Sequence, residues 1–123
     1  MTAFFAQCTF DVHDLTAMSE FWSAALGYEV APVDEKSVRL RPPLGTEPSK
    51  LTVLLQVADT PHRHKNRVHM DLGAEDVDAE VERLIGLGAR HADVGQGGGN
   101  PFVVLMDPED NEFCVLNGDP RRD

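Results

Sequence analysis

His69 is the residue best suited to chemistry at neutral pH, because an imidazole titrates near there and can serve as base, acid or metal ligand. It stands in an alternating stretch, with Val68, Met70 and Leu72 facing one way and His69 and Asp71 the other. That alternation is the pattern of a half-buried strand. Cys114, near the other end of the chain, offers a thiol that could be a nucleophile or a ligand beside His69. Gln7 and Gln56 offer amides, and Thr9, Asp11 and Glu112 offer further hydrogen-bonding groups. Each has a plain structural reading beside the chemical one. A strand histidine can be a hydrogen-bonded scaffold residue, and a buried cysteine commonly behaves as a small hydrophobe.

The elements that must position these groups are written twice. Asp14 to Leu26 is followed by Gly27, and Asp76 to Leu87 by Gly88. Each segment opens on an acidic cap, carries apolar residues at helical spacing and stops at Leu-Gly. Each follows an apolar strand, Phe4 to Val12 before the first and Arg67 to Leu72 before the second. Strands are expected afterwards over Tyr28–Val33, Ser37–Arg41 and Lys50–Val57 in the first half. In the second half they are expected over Arg90–Val94, Phe102–Met106 and Glu112–Asn117. The fold predicted is α+β, with tandem βαβββ modules forming a concave cleft. Module one is set at 4–58, module two at 66–117, and 118–123 is a polar tail.

The repeat has an offset of 62 at its first strands, which carries Gln7 onto His69 and Thr9 onto Asp71. Gln56 and Cys114 are set at roughly equivalent inward places in the last strands. The cleft is therefore expected to display Gln7, Thr9, Asp11, Thr52, Leu54, Gln56, His69, Asp71, Glu112 and Cys114. Polar groups facing a cavity bond to each other, to water or to a ligand.

Composition narrows the class. The chain has 123 residues, 41% hydrophobic, with 11 Lys+Arg against 21 Asp+Glu and a formal charge of −10. Such a balance repels nucleic acid and anionic membranes. No apolar run approaches the ~20 residues of a membrane helix. The first residues do not read as a signal peptide, so a cytoplasmic setting with reduced Cys8 and Cys114 is expected. The tract His62-Arg63-His64-Lys65 reads as a solvated connector. Gly95-Gln96-Gly97-Gly98-Gly99 lacks the Gly-Lys-Ser/Thr ending of a phosphate loop and reads as a flap.

Three segments together carry a resemblance: Asp14 to Gly27, Lys65-Asn66-Arg67-Val68-His69-Met70-Asp71-Leu72, and Asp107-Pro108-Glu109-Asp110-Asn111-Glu112-Phe113-Cys114-Val115-Leu116. In order and spacing the chain resembles the vicinal oxygen chelate superfamily, in its glyoxalase-like, bleomycin-resistance-type branch. The resemblance covers roughly residues 4 to 117. It implies paired βαβββ modules and, in enzymatic members, a divalent metal held by four side chains. Those positions fall here on Gln7, Gln56, His69 and Cys114. The set holds one imidazole, two neutral amides and no carboxylate, a poor match for a hard divalent cation.

The function expected is binding of a small organic molecule without the usual metal and with no cofactor. The alternatives are a lyase or dioxygenase using a metal such as zinc on the His/Cys/Gln set, and a metal-free enzyme with His69 as general base. A homodimer is expected, since open curved sheets leave edges a second copy can cover.

Overall fold

The computed structural model describes residues 2–3, 5–45, 50–59, 66, 68–92 and 102–118. The chain divides into two compact units, Met1–Pro61 and His62–Asp123. The architecture is α+β, and each unit is one βαβββ module.

The first unit runs β1 (Gln7–Val12), α1 (Leu15–Leu26), β2 (Glu29–Asp34), β3 (Ser37–Arg41) and β4 (Thr52–Val57). Its sheet has the order β1-β4-β3-β2, with β1 parallel to β4 and the other pairs antiparallel. Asp14 caps α1, its carboxylate accepting from the Ala17 N–H at 3.0 Å. Gly27 ends the helix at φ 69°, a left-handed position that favours glycine. Met18, Phe21, Trp22 and Ala25 recur at helical spacing and are buried. They cover one face of the sheet, built from Phe10, Val12, Val38, Leu40, Val53 and Leu55. Phe10 meets Trp22 edge-on at 5.8 Å between ring centroids. Every second residue of the same strands, including Gln7, Thr9, Asp11, Leu54 and Gln56, is left on the opposite face.

The second unit repeats the plan with β5 (Met70–Ala74), α2 (Val77–Leu87), β6 (Arg90–His91), β7 (Phe102–Met106) and β8 (Glu112–Asn117). The order is β5-β8-β7-β6, with β5 parallel to β8. Asp76 caps α2 through the Ala79 N–H at 3.1 Å. Val81 and Leu84 pack with the apolar face of Leu105, Phe113 and Val115, all buried.

Some bounds differ from those read in the sequence. The first strand begins at Gln7 rather than Phe4, and β4 at Thr52 rather than Lys50. The strand expected over Arg67–Leu72 is β5, Met70–Ala74. Its pairing starts where Met70 meets Phe113 and continues through Gly73 and Ala74, whose carbonyl accepts from Gly118 N–H. Gly and Ala carry no alternation signal, so periodicity alone ended the strand early. The connector tract at His62–Lys65, the glycine-rich segment 95–101, Val94 and the tail beyond Gly118 lie outside the described residues.

The turn before β8 is organised by Asp107, which is fully buried. Its Oδ1 accepts from the Glu109 N–H at 2.9 Å and the Asn111 N–H at 3.0 Å, and the Asn111 amide adds a further bond. Asp110 takes φ 71°, a left-handed conformation that Asp adopts more readily than most residues. This turn sets where β8 starts, and so where Glu112 and Cys114 stand. Asp107→Ala strands partly buried N–H donors of Glu109 and Asn111 and is expected to cost about 2–4 kcal/mol of unfolding free energy. A urea titration read by circular dichroism measures it.

Candidate functional site

The register of the second unit brings a titratable cluster together. Asp71 lies directly opposite Cys114 across the parallel β5–β8 pair. His69 stands two residues before Asp71, just ahead of the strand, and returns to the same face. Asp71 Oδ1 is 3.1 Å from His69 Nδ1. Cys114 Sγ is 3.9 Å from that same nitrogen. One ligand-capable atom from each residue lies within 4.8 Å of the others. The His69 and Asp71 side chains are 37% and 46% exposed, whereas Cys114 is 5% exposed. The cluster thus has an open imidazole–carboxylate side and a buried sulfur side.

This geometry decides against one chemistry. A nucleophile–base–orienter relay needs the thiol on one ring nitrogen and the carboxylate on the other. Here both approach Nδ1, so the three are not arranged as a hydrolytic triad. With a proton on Nδ1 donated to Asp71, the other nitrogen, Nε2, is left as an acceptor.

Glu112 meets the backbone just ahead of His69. Its Oε2 accepts from the Asn66 N–H at 3.1 Å, tying down the chain that leads into His69. In the first unit, Gln56 donates from Nε2 to Asp11 Oδ1 at 3.0 Å, and the two are register partners. Gln7 is paired with Thr52, four residues further back along β4. Thr9 is paired with Leu54, and Leu54 with Arg39 of β3. Arg39 was missed as a candidate. Its alternation with Val38 and Leu40 placed it on the polar face, and its guanidinium is the cation in the Thr9 row.

The registers also correct the internal equivalence. Thr9 corresponds to Asp71, and their partners are Leu54 and Cys114. The residue that matches Cys114 is therefore Leu54, not Gln56, which matches Leu116 opposite Gly73. Gln7 and Gln56 differ by four residues of strand, about 13 Å of rise. Side chains standing off one sheet face do not close that distance onto one ion. The four-residue metal set implied by the resemblance does not fit this structure. Asp71, a carboxylate outside that set, stands beside His69.

Comparison places the chain. The family model of the glyoxalase-like domain matches residues 7–116, and the chain belongs to that family. A fosfomycin resistance protein from Listeria monocytogenes, solved with Mn(II) and a dihydroxypropylphosphonic acid, has a TM-score of 0.74 at 17% identity. That match covers 98% of this chain and 94% of that one. A glyoxalase/bleomycin resistance protein from Albidiferax ferrireducens has a TM-score of 0.65 at 21% identity, covering 94% and 98%. A hypothetical protein, SA1046 from S. aureus, has a TM-score of 0.69 at 19% identity, covering 94% of each. These likenesses establish the shared fold. No curated protein matches in sequence. No helix among the described residues is long and apolar enough to cross a membrane.

The two thiols differ in setting. Cys8 pairs with Val53 on the helix-covered side of its sheet, and burial pushes its thiol pKa up. Its thiolate is scarce at neutral pH, so alkylation of Cys8 should be slow at pH 7. The rate should climb roughly tenfold per pH unit through the mildly alkaline range. Peptide-resolved mass spectrometry after iodoacetamide pulses checks this. A rate already level at pH 8 would contradict the raised value.

Proposed function

We propose that this glyoxalase-like protein binds a small polar or aromatic organic molecule, with His69 as the principal hydrogen-bonding contact. The observation that carries the reading is the His69–Asp71 pair. A carboxylate 3.1 Å from Nδ1 fixes the ring and its tautomer, while the side chains stay open to solvent. Asp71 orients, Nε2 faces the ligand, and Cys114 closes the floor. Glu112 holds the approach to His69 through Asn66. We assign ligand contacts also to the polar face of the first unit, at Gln7, Thr9, Asp11 and Gln56. The four-residue metal centre implied by the resemblance has no part in this reading.

A second reading rests on the same pair. An imidazole oriented by a carboxylate is what a general base needs, so a metal-free enzyme in which His69 Nε2 takes a proton is the catalytic alternative. A bell-shaped or rising pH–rate profile lost with His69 distinguishes catalysis from binding alone.

The proposal includes a cytoplasmic setting and a homodimer. Val30 and Val33 on the edge strand β2 are about half exposed, and a second copy would cover such an edge. Light scattering at high micromolar concentration tests the assembly.

For the ligand, a thermal-shift screen of small organic acids and aromatics identifies the probe, and calorimetry follows. Removing a hydrogen-bond partner that a bound ligand covers costs about 1–3 kcal/mol, so His69→Ala should weaken binding roughly 5- to 150-fold. His91→Ala should bind normally, because His91 pairs with Leu105 on the alternate register. Equal binding by the two variants would place the site elsewhere.

A further inference from the structure

We propose that Arg39 receives a carboxylate, which makes the small organic molecule of the preceding reading an organic acid. This rests on that reading for its surface, the non-helical face of the first unit, and adds a residue not assigned a contact there.

Register separates Arg39 from counter-charge. Arg39 alternates with the buried Val38 and Leu40, so its side chain leaves the sheet on the face away from α1. Its row runs Thr9, Leu54, Arg39 and Ala31, and holds no carboxylate. Arg41, on the same strand, stands directly opposite Glu29. The Asp11 carboxylate, in the next row of that face, accepts from Gln56. The Asp34 carboxylate, at the turn between β2 and β3, accepts from the Lys36 N–H and the Ser37 hydroxyl. Arg39 makes no ion pair and no hydrogen bond with its side chain among the described residues. Yet acidic residues outnumber basic ones 21 to 11 in this chain. Arg39 is also half-buried, whereas Arg41 is exposed. A partly desolvated guanidinium without a partner, in so acidic a chain, is left to an anion from outside.

The surroundings narrow that anion. Two parallel N–H groups of a guanidinium match the two oxygens of a carboxylate. Asp11 and Glu29 lie in the rows on either side, so they repel a second negative charge on the ligand. A monoanion is therefore favoured over a phosphate-like dianion, and the net charge of −10 disfavours a polyanion. Leu54, half-buried between Thr9 and Arg39, offers an apolar floor for the body of the acid. Thr9 and Arg39 stand two strands apart, about 10 Å. A one-ring acid held by Arg39 lies over Leu54 and points toward the Thr9 hydroxyl.

The test titrates the full chain with benzoate and with its neutral counterpart benzamide. Binding is followed by calorimetry and by the arginine Nε–Hε signals in nitrogen–proton correlation spectra. Benzoate should bind more tightly than benzamide and than dianionic phenylphosphonate, and its affinity should fall as salt is raised. It should shift the Arg39 signal, identified by its loss in Arg39→Lys. Hydrogen bonds to charged groups are the stronger class, so Arg39→Gln should weaken benzoate roughly 10- to 100-fold and leave benzamide unchanged. Arg39→Lys keeps the charge but not the fork, and should recover only part of that loss. It preserves the test if Arg39→Gln folds poorly by circular dichroism. Arg41→Gln should leave benzoate binding unchanged. The proposal is overturned if benzoate binds no better than benzamide or if phenylphosphonate is preferred. It is also overturned if replacing Arg39 has no effect, or if Arg41→Gln costs as much. His69→Ala, run alongside, separates this proposal from the reading it rests on. Loss of benzoate binding with Arg39→Gln but not with His69→Ala supports Arg39 and overturns His69 as the principal contact. A neutral ligand weakened by His69→Ala and untouched by Arg39→Gln does the reverse.

Discussion

Everything at the site depends on the parallel pairing of the first strand of each unit with its last. A parallel pair cannot be closed by a tight turn, so the chain must cross over between them. Here the crossover contains a helix and two further strands. The helix covers one sheet face with Met18, Phe21 and Trp22 in the first unit, and with Val81 and Leu84 in the second. Side chains alternate along a strand, so the crossover that buries Phe113 and Val115 also commits Cys114 to the other face. The ladder then fixes which residue of β5 faces it. Asp71 meets Cys114 because Met70 meets Phe113, and the buried Asp107 turn determines where β8 begins.

The periodic features were readable from sequence. Acidic caps at Asp14 and Asp76, glycines after Leu26 and Leu87 and strict alternation in β1 specify local structure by local chemistry. Both helices and most strands stand within a few residues of where those signals put them. The vicinity of His69 to Cys114 was also readable, since both sit on the non-helical face of the second repeat. What periodicity could not provide was row. The repeat has an offset of 62 between Thr9 and Asp71 but 60 between Leu54 and Cys114. A two-residue slip moves a side chain along the strand and leaves it on the same face. The wrong assignment of Gln56 therefore looked as consistent as the right assignment of Leu54. Pairing between strands far apart in sequence is a tertiary fact, and alternation carries no trace of it.

The weight given to Asp71 shows the same limit. Alternation sets it on the face of His69, yet in sequence it reads equally as a solvated strand-end residue, in a chain with 21 acidic residues. Such residues are solvated in most proteins, and charge alone does not single this one out. Its significance comes from standing across the ladder from a buried thiol and two residues from an imidazole. The four positions that the resemblance implies hold no carboxylate, and Asp71 lies outside them, beside His69 through one strand pair.

The corrected equivalence also exposes an asymmetry between the repeats. The counterparts of His69, Asp71 and Cys114 in the first unit are Gln7, Thr9 and Leu54. The scaffold is the same, a parallel pair with its non-helical face lined in rows, yet an amide, a hydroxyl and an aliphatic chain replace an imidazole, a carboxylate and a thiol. No proton-transfer or soft-metal chemistry is available to that trio. Its polar content can orient a ligand through neutral hydrogen bonds, with Arg39 adding one positive charge beside Leu54. The backbone repeat thus supports two different chemical surfaces. The difference rests on three substitutions at matching register positions, each of which leaves the helix-covered core of its unit untouched.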